Sequence, residues 1–146
     1  MAEKTPQTYA NHPKYDPPFH FFVVPVLATT VLLALWGVAQ SPTSFDRIWT
    51  LIMSGALFVA AFKIRLYALG VQNRVIRLEE RLRMAMVLPE PLRARIGELT
   101  TSQLIALRFA SDAELPALVE KTLAGNLANA DIKKAIENWR PDYQRI

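Results

Sequence analysis

The sequence predicts an all-α membrane protein: a transmembrane helical hairpin whose second span continues as a long cytoplasmic helix, followed by a small three-helix unit. Three observations predict it. Residues 19–39, FHFFVVPVLATTVLLALWGVA, contain no Asp, Glu, Lys or Arg. A second apolar run, IWTLIMSGALFVAAF, fills 48–62. The C-terminal half is mixed and charged, with capping and turn signals at helical spacing. The parts then follow in order: 1–16 as an N-terminal cytoplasmic segment, 17–40 as transmembrane helix one, 41–47 as an outward loop, 48–88 as transmembrane helix two with its cytoplasmic extension, and 89–146 as a cytoplasmic helical unit.

The chain enters the first helix through NHPKYDPPFHFF, residues 11–22. His12, Asp16 and His20 stand four apart, which on a helix is one face. Pro13, Pro17 and Pro18 break that helix and bias the residues before them to extended geometry. Asp16 is instead the expected helix cap, with Pro17 and Pro18 in the first two positions, where a missing N–H costs nothing. Tyr15, Phe19 and His20 then form an interfacial belt, apolar rings with polar tips at headgroup level. Pro25 should free the Phe21 carbonyl and kink the helix near its start. His20 is the candidate to ligate a haem or chlorophyll at a membrane boundary; the belt reading is preferred, and no cofactor or metal is expected.

The first run of 21 residues is about 31 Å long as a helix, enough to cross a bilayer. GVAQ at 37–40 has the small residues of a signal cleavage site, but the mixed charges before the span (Glu3, Lys4, Lys14, Asp16) point to a retained anchor. The second span is expected over 48–67. The connection SPTSFDR, 41–47, is short enough to force an antiparallel hairpin, with Ser44 as N-cap and Asp46 in the first turn. Small residues, Ala34 and Gly37 in one span and Ser54, Gly55 and Ala60 in the other, permit close helix packing. Thr29, Thr30 and Ser54 are the central polar groups, and each can bond its own helix.

The net charge of +4 is local. Six cations and two anions lie between Lys63 and Arg83, whereas 89–146 holds eight of each. That balance excludes a nucleic-acid-binding domain there. The basic band places the C-terminus in the cytoplasm by the positive-inside rule, and a hairpin returns the N-terminus to the same side. Lys63, Arg65, Tyr67, Arg74 and Arg77 are expected at the headgroups, with anionic lipid as partner. The apolar residues from Leu66 to Met86 suit a helix that leaves the membrane, with orientation anchoring preferred over a short coiled coil. Glu79 and Arg83 read as an i,i+4 ion pair, and Glu79–Glu80 as a solvated doublet.

LPEPL at 88–92 should end the long helix. A helix capped near Thr100 or Thr101 follows. SDAEL, 111–115, has the capping-box form with Ser111 as N-cap and Glu114 at N3. That helix should run to about Ala124 and stop at Gly125 or Asn126. A last helix is expected from Asn129 to Arg140, stopped by Pro141. Leu104, Ile105, Leu107, Phe109, Leu115, Leu118, Val119, Leu123, Leu127, Ile132, Ile136 and Trp139 are the expected core. A unit this small gains from docking on the long helix or on a partner.

The chain has no cysteine, which excludes disulfides, thiolate metal sites and a cysteine nucleophile. No phosphate loop, HExxH pair or nucleophile elbow is present, and no catalytic residue is assigned. YANHPKYDPPFHFF, LYALGVQNRVIRLEERLRM, SQLIALRFASDAELPALVEKTL and DIKKAIENWRPDYQRI resemble the recurring blocks of a bacterial family of small two-span membrane proteins of unknown function. The resemblance implies a bacterial membrane protein and brings no catalytic residue, cofactor or substrate; with the two spans and the basic band, the expected location is the bacterial cytoplasmic (inner) membrane. The expected role is a non-catalytic, self-assembling homo-oligomer or an accessory scaffold subunit of a membrane complex. The alternatives are an oligomeric channel or transport component, and a cofactor-carrying subunit through His20.

Overall fold

A computed structural model describes residues 6–11 and 15–143. His12, Pro13 and Lys14, on which part of the expected entry rests, lie outside the described residues. The described chain is helical, and its one β-type pairing outside the helices is an isolated antiparallel bridge between Ala110 and Trp139. It divides into two compact units. One takes in residues up to Leu69 from the start of the first helix; the other takes in residues from Gly70 onward together with 6–11.

The first unit is the apolar hairpin. Its opening helix begins at Pro17 and passes through a π-turn, Phe19–Val23, into α1, Val24–Gln40. The π-turn has a local cause. Pro25 offers no N–H to the Phe21 carbonyl, and the preceding turn widens so that the Val24 N–H bonds the Phe19 carbonyl. The expected break before Pro25 falls at this wider turn. Ser41 closes α1, its N–H reaching the Gly37 and Val38 carbonyls. Ser44 immediately precedes α2, Phe45–Val87, and its carbonyl accepts from the Ile48 N–H. Phe19–Gln40 and Phe45–Val87 are both long and apolar enough to cross a membrane. Within the hairpin Ala34 and Ser54 are buried, while Leu32, Leu33, Trp36, Trp49, Ile52 and Leu57 are exposed.

The second unit builds its core on the end of α2. α2 stops at Val87 and Pro89 caps α3, Glu90–Arg93, with Pro91 in its first turn. A 3₁₀ turn, Ile96–Glu98, leads to α4, Thr101–Leu107. Thr100 caps α4 with a complete capping box: its hydroxyl accepts from the Gln103 N–H, and the Gln103 side chain accepts from the Thr100 N–H. α5 is Leu115–Gly125, ended by Asn126 in the left-handed conformation at φ 44°. α6 is Asn129–Ala135.

Met84, Leu88, Leu99, Leu104, Leu107, Phe109, Leu115, Val119 and Ile132 are buried in one continuous core, with Leu123, Leu127 and Trp139 packed against it. Most of this set was legible from periodicity. Met84, Leu88 and Leu99 come from outside the expected set: the end of α2 supplies Met84, and the connection from α2 to α4 supplies Leu88 and Leu99.

Three local expectations are corrected. α6 ends at Ala135 rather than Arg140. Residues 136–140 leave the helix, bend at 137–138 and pair with 109–111 through the Ala110–Trp139 bridge, where Arg140 N–H bonds the Phe109 carbonyl at 2.7 Å and Ser111 N–H bonds the Asn138 carbonyl at 3.0 Å. Burial of Ile136 and packing of Trp139 on Phe109 outweigh helix propensity there. Asn129 is the first residue inside α6, capped by Ala128, and its side chain bonds the Ser102 carbonyl at 2.7 Å. Ser111 is not the cap of α5: the helix starts at Leu115 with Glu114 at its N-cap, and although Glu114 accepts from the Ser111 N–H at 3.3 Å, the Ser111 hydroxyl makes no bond. Glu114 also accepts from the Glu137 and Asn138 N–H groups, which ties the extended C-terminal segment to the start of α5.

Candidate functional site

Two polar constellations stand out, one in each unit. In the hairpin, Asp16 works in two directions. One carboxylate oxygen accepts from the Phe19 N–H at 3.4 Å, as a helix cap does. The other accepts from Arg65 Nη1 at 2.9 Å. The Arg65 guanidinium lies 5.4 Å from the centre of the Phe19 ring, and Phe19 packs edge-on against Phe62. Arg65 therefore turns inward to the first helix, and its side chain is only 14% exposed. Its aliphatic stem and the aromatic rings form the cover, and the charge is satisfied by Asp16.

His20 sits in the same cluster. Its Nδ1 lies 2.8 Å from the Asp16 carbonyl, and its ring meets Tyr15 and Phe19 edge-on. The Asp16 N–H also points at Nδ1, at 3.3 Å, so the Asp16 backbone holds this ring nitrogen in either tautomer. His12, the third residue of the four-residue spacing, lies outside the described residues. Among the described residues, no group of three His, Asp or Glu side chains is placed to hold a metal ion.

The remaining interface candidates stay at the surface. Tyr15 and Tyr67 are exposed, and Lys63 Nζ lies 5.8 Å from the Tyr67 ring. Arg74 and Arg77 are exposed on α2. Of the packing candidates, Ala34 and Ser54 are buried in the hairpin. Gly37 is approached by the stem of Arg47, whose Nη1 donates to the Gly37 carbonyl at 2.7 Å across the loop. Gly55 has open space where a Cβ would stand, and Ala60 is exposed, so neither is a contact within this chain.

The second constellation is a buried charge cluster. Glu80 and Arg83 on α2 face into the C-terminal unit and are both buried. Arg83 donates to Glu80 at 3.1 Å, to Asp112 at 2.7 Å and to the Ala110 carbonyl at 2.7 Å. Arg140 lies 3.6 Å from the other Glu80 oxygen. Arg108, stacked on Phe109 at 4.5 Å, pairs with Asp142 at 3.2 Å. The Asp142 backbone is in turn held by Gln7, which accepts from its N–H and donates to its carbonyl. Burial pushes the Glu80 carboxyl above its ordinary range, opposed by the guanidinium of Arg83 and more weakly by Arg140 and Arg108.

This corrects two expectations. Arg83 pairs with Glu80, three residues before it, rather than with Glu79. The Glu79–Glu80 doublet is not wholly solvated: Glu79 is exposed and Glu80 is buried. The signal was present in the spacing, because Ile76, Glu80 and Met84 share one i,i+4 row, and the apolar ends of that row mark it as a core face. Each carboxylate of the cluster faces a guanidinium. Such an arrangement fastens α2, the segment after α4 and the C-terminal segment together.

The match to known proteins comes from the family level. The chain matches a family of unknown function (DUF6526) over residues 1–146 and belongs to it. No curated protein and no solved structure matches the chain.

Proposed function

We propose that this member of a family of unknown function is a non-catalytic integral membrane subunit that self-assembles or serves as the accessory scaffold of a membrane complex. The reading places it in the bacterial inner membrane, with both termini in the cytoplasm and anionic headgroups around Lys63, Arg74 and Arg77. The observation that carries it is the contrast between exposed apolar side chains along α1 and α2 and a C-terminal unit whose buried charges are already paired. Exposed apolar surface of this extent calls for lipid and protein neighbours. The paired charges hold the domain together and leave its outer surface for contact.

The test is the native mass of the chain released from its own membrane in mild detergent. A multiple of 16.5 kDa, or a stable complex with another membrane subunit, is expected. A lone chain with no companion contradicts the proposal. A second reading, a cofactor-carrying subunit, is favoured by the His20 Nδ1 contact with the Asp16 carbonyl at 2.8 Å, the kind of hydrogen bond that orients a ligating imidazole. It predicts visible absorbance in the purified protein that disappears in His20→Leu. A channel formed by several hairpins predicts conductance in liposomes.

A further inference from the structure

Beyond Gly70, α2 is apolar on two sides. One side carries Ile76 and Met84, buried against the C-terminal unit with Glu80 and Arg83. The other carries Val71, Val75, Leu78 and Leu82, exposed at 63, 48, 62 and 59%. At about 100° per residue the two sets lie on opposite faces of the helix. A helix apolar on both faces is a buried helix, and here one face is bare.

The bare face has a register. Val71, Val75, Leu78 and Leu82 alternate steps of four and three, the d and a positions of a heptad. The same register extends back through Ala68 to Ile64 and forward to Ala85. It places Ile76, Glu80, Arg83 and Met84 at b, f, b and c, so the domain and the seam do not compete for one surface. Arg74 and Arg81 fall at g, Gln72 and Glu79 at e. In a parallel, in-register pair each g residue meets the partner's e residue five positions on, which sets Arg74 against Glu79 twice by symmetry. Arg74 and Glu79 are exposed. An antiparallel pairing would set g against g, bringing arginines together.

We propose that α2 from Ile64 to Ala85 forms a parallel, in-register, two-stranded coiled coil with a second copy of this chain. The proposal rests on the membrane-anchored reading, which inserts all copies the same way round and so supplies the parallel orientation. Lipid is a poor cover for this face: the 43 residues of α2 span about 64 Å, roughly twice the hydrocarbon thickness. The seam is only about three heptads, but copies confined to one membrane meet at raised effective concentration. A third strand would bury the charged flanks at Arg74, Glu79 and Arg81, so the pair is the favoured state.

The chain has no cysteine, so single replacements report cleanly. In the full-length protein reconstituted in bilayer nanodiscs, Leu78→Cys should give a disulfide-linked dimer on oxidation. Arg77→Cys, one residue away at position c, should give little. Glu79→Arg should weaken dimerisation roughly tenfold, since two attractive pairs become repulsive. Adding Arg74→Glu to it should restore the dimer. All four sites are exposed, and circular dichroism checks that the fold is kept. Equal cross-linking from positions 77 and 78, or no rescue by the double swap, overturns the coiled coil. Native mass of the same samples separates the two proposals. Several copies, or one copy with another subunit, without a Leu78→Cys cross-link overturns the coiled coil alone; a lone chain overturns both.

Discussion

The two units spend similar apolar residues in opposite ways. In the C-terminal unit Phe109, Leu104, Leu107 and Val119 are fully buried by their own chain. In the hairpin Leu33, Trp36 and Leu57 are exposed at 62, 65 and 55%, and the buried residues are the small Ala34 and Ser54. The first pattern is stability supplied by internal packing; the second leaves the greater part of the apolar surface for the surroundings to cover. Apolar content alone does not tell the two apart. What separates them is where the charges fall. Charged residues interrupt every apolar stretch of the C-terminal unit, and between Phe19 and Gln40 there are none.

The contrast can be broken by substitution. Phe109→Ala removes the largest fully buried side chain and should cost about 3–5 kcal/mol in denaturant unfolding of the C-terminal unit. A loss below about 1 kcal/mol would mean that the core is not the source of its stability. Arg83→Met leaves buried Glu80 with only the longer Arg140 contact and should cost about 3 kcal/mol, read by the same melt. Its effect should exceed that of Arg93→Met, whose pair with Glu90 is exposed.

A pH series sharpens the same point. The Glu80 carboxyl is raised by burial above its ordinary value of 4.5. The folded state therefore binds this proton more tightly than the unfolded state. Its contribution is fully present below 4.5 and is lost as pH rises through the folded-state value. Glu80→Gln should remove that falling component from the stability–pH curve; an unchanged slope would place the titration elsewhere. At the small end, Leu33→Ala or Leu57→Ala should change the thermal stability of the C-terminal unit by less than about 0.5 kcal/mol. A larger change would show that these side chains are buried by something the domain depends on.

The apolar runs, a cap at Thr100 or Thr101, a stop at Gly125 or Asn126 and most of the C-terminal core were legible because each has a local signature: length without charge, a hydroxyl before an apolar run, a residue tolerant of positive φ, a 3.6-residue period. The charge cluster was not, because α2 carries two apolar stripes and periodicity does not say which one the domain covers. Glu80 and Arg83 lie on the covered one, and their partners Asp112 and Arg140 are distant in sequence. The end of α6 was hidden for a related reason. Residues 136–140 are drawn out of the helix by Trp139 and by the backbone of Phe109 and Ser111, contacts that no local pattern contains. The pair of Arg65 with Asp16 was hidden in the same way, because its two members stand 49 positions apart.

The central claim is that the hairpin is covered by a bilayer while the C-terminal unit stands in the cytoplasm. It is tested most directly by thiol labelling of single-cysteine variants in right-side-out membrane vesicles with a membrane-impermeant reagent. Thr43→Cys in the loop should label from outside. Glu120→Cys on α5 should label only after permeabilisation, and Leu57→Cys in the middle of the apolar stretch should resist labelling in both conditions. Labelling of Leu57→Cys as rapid as that of Glu120→Cys in permeabilised vesicles would contradict the account.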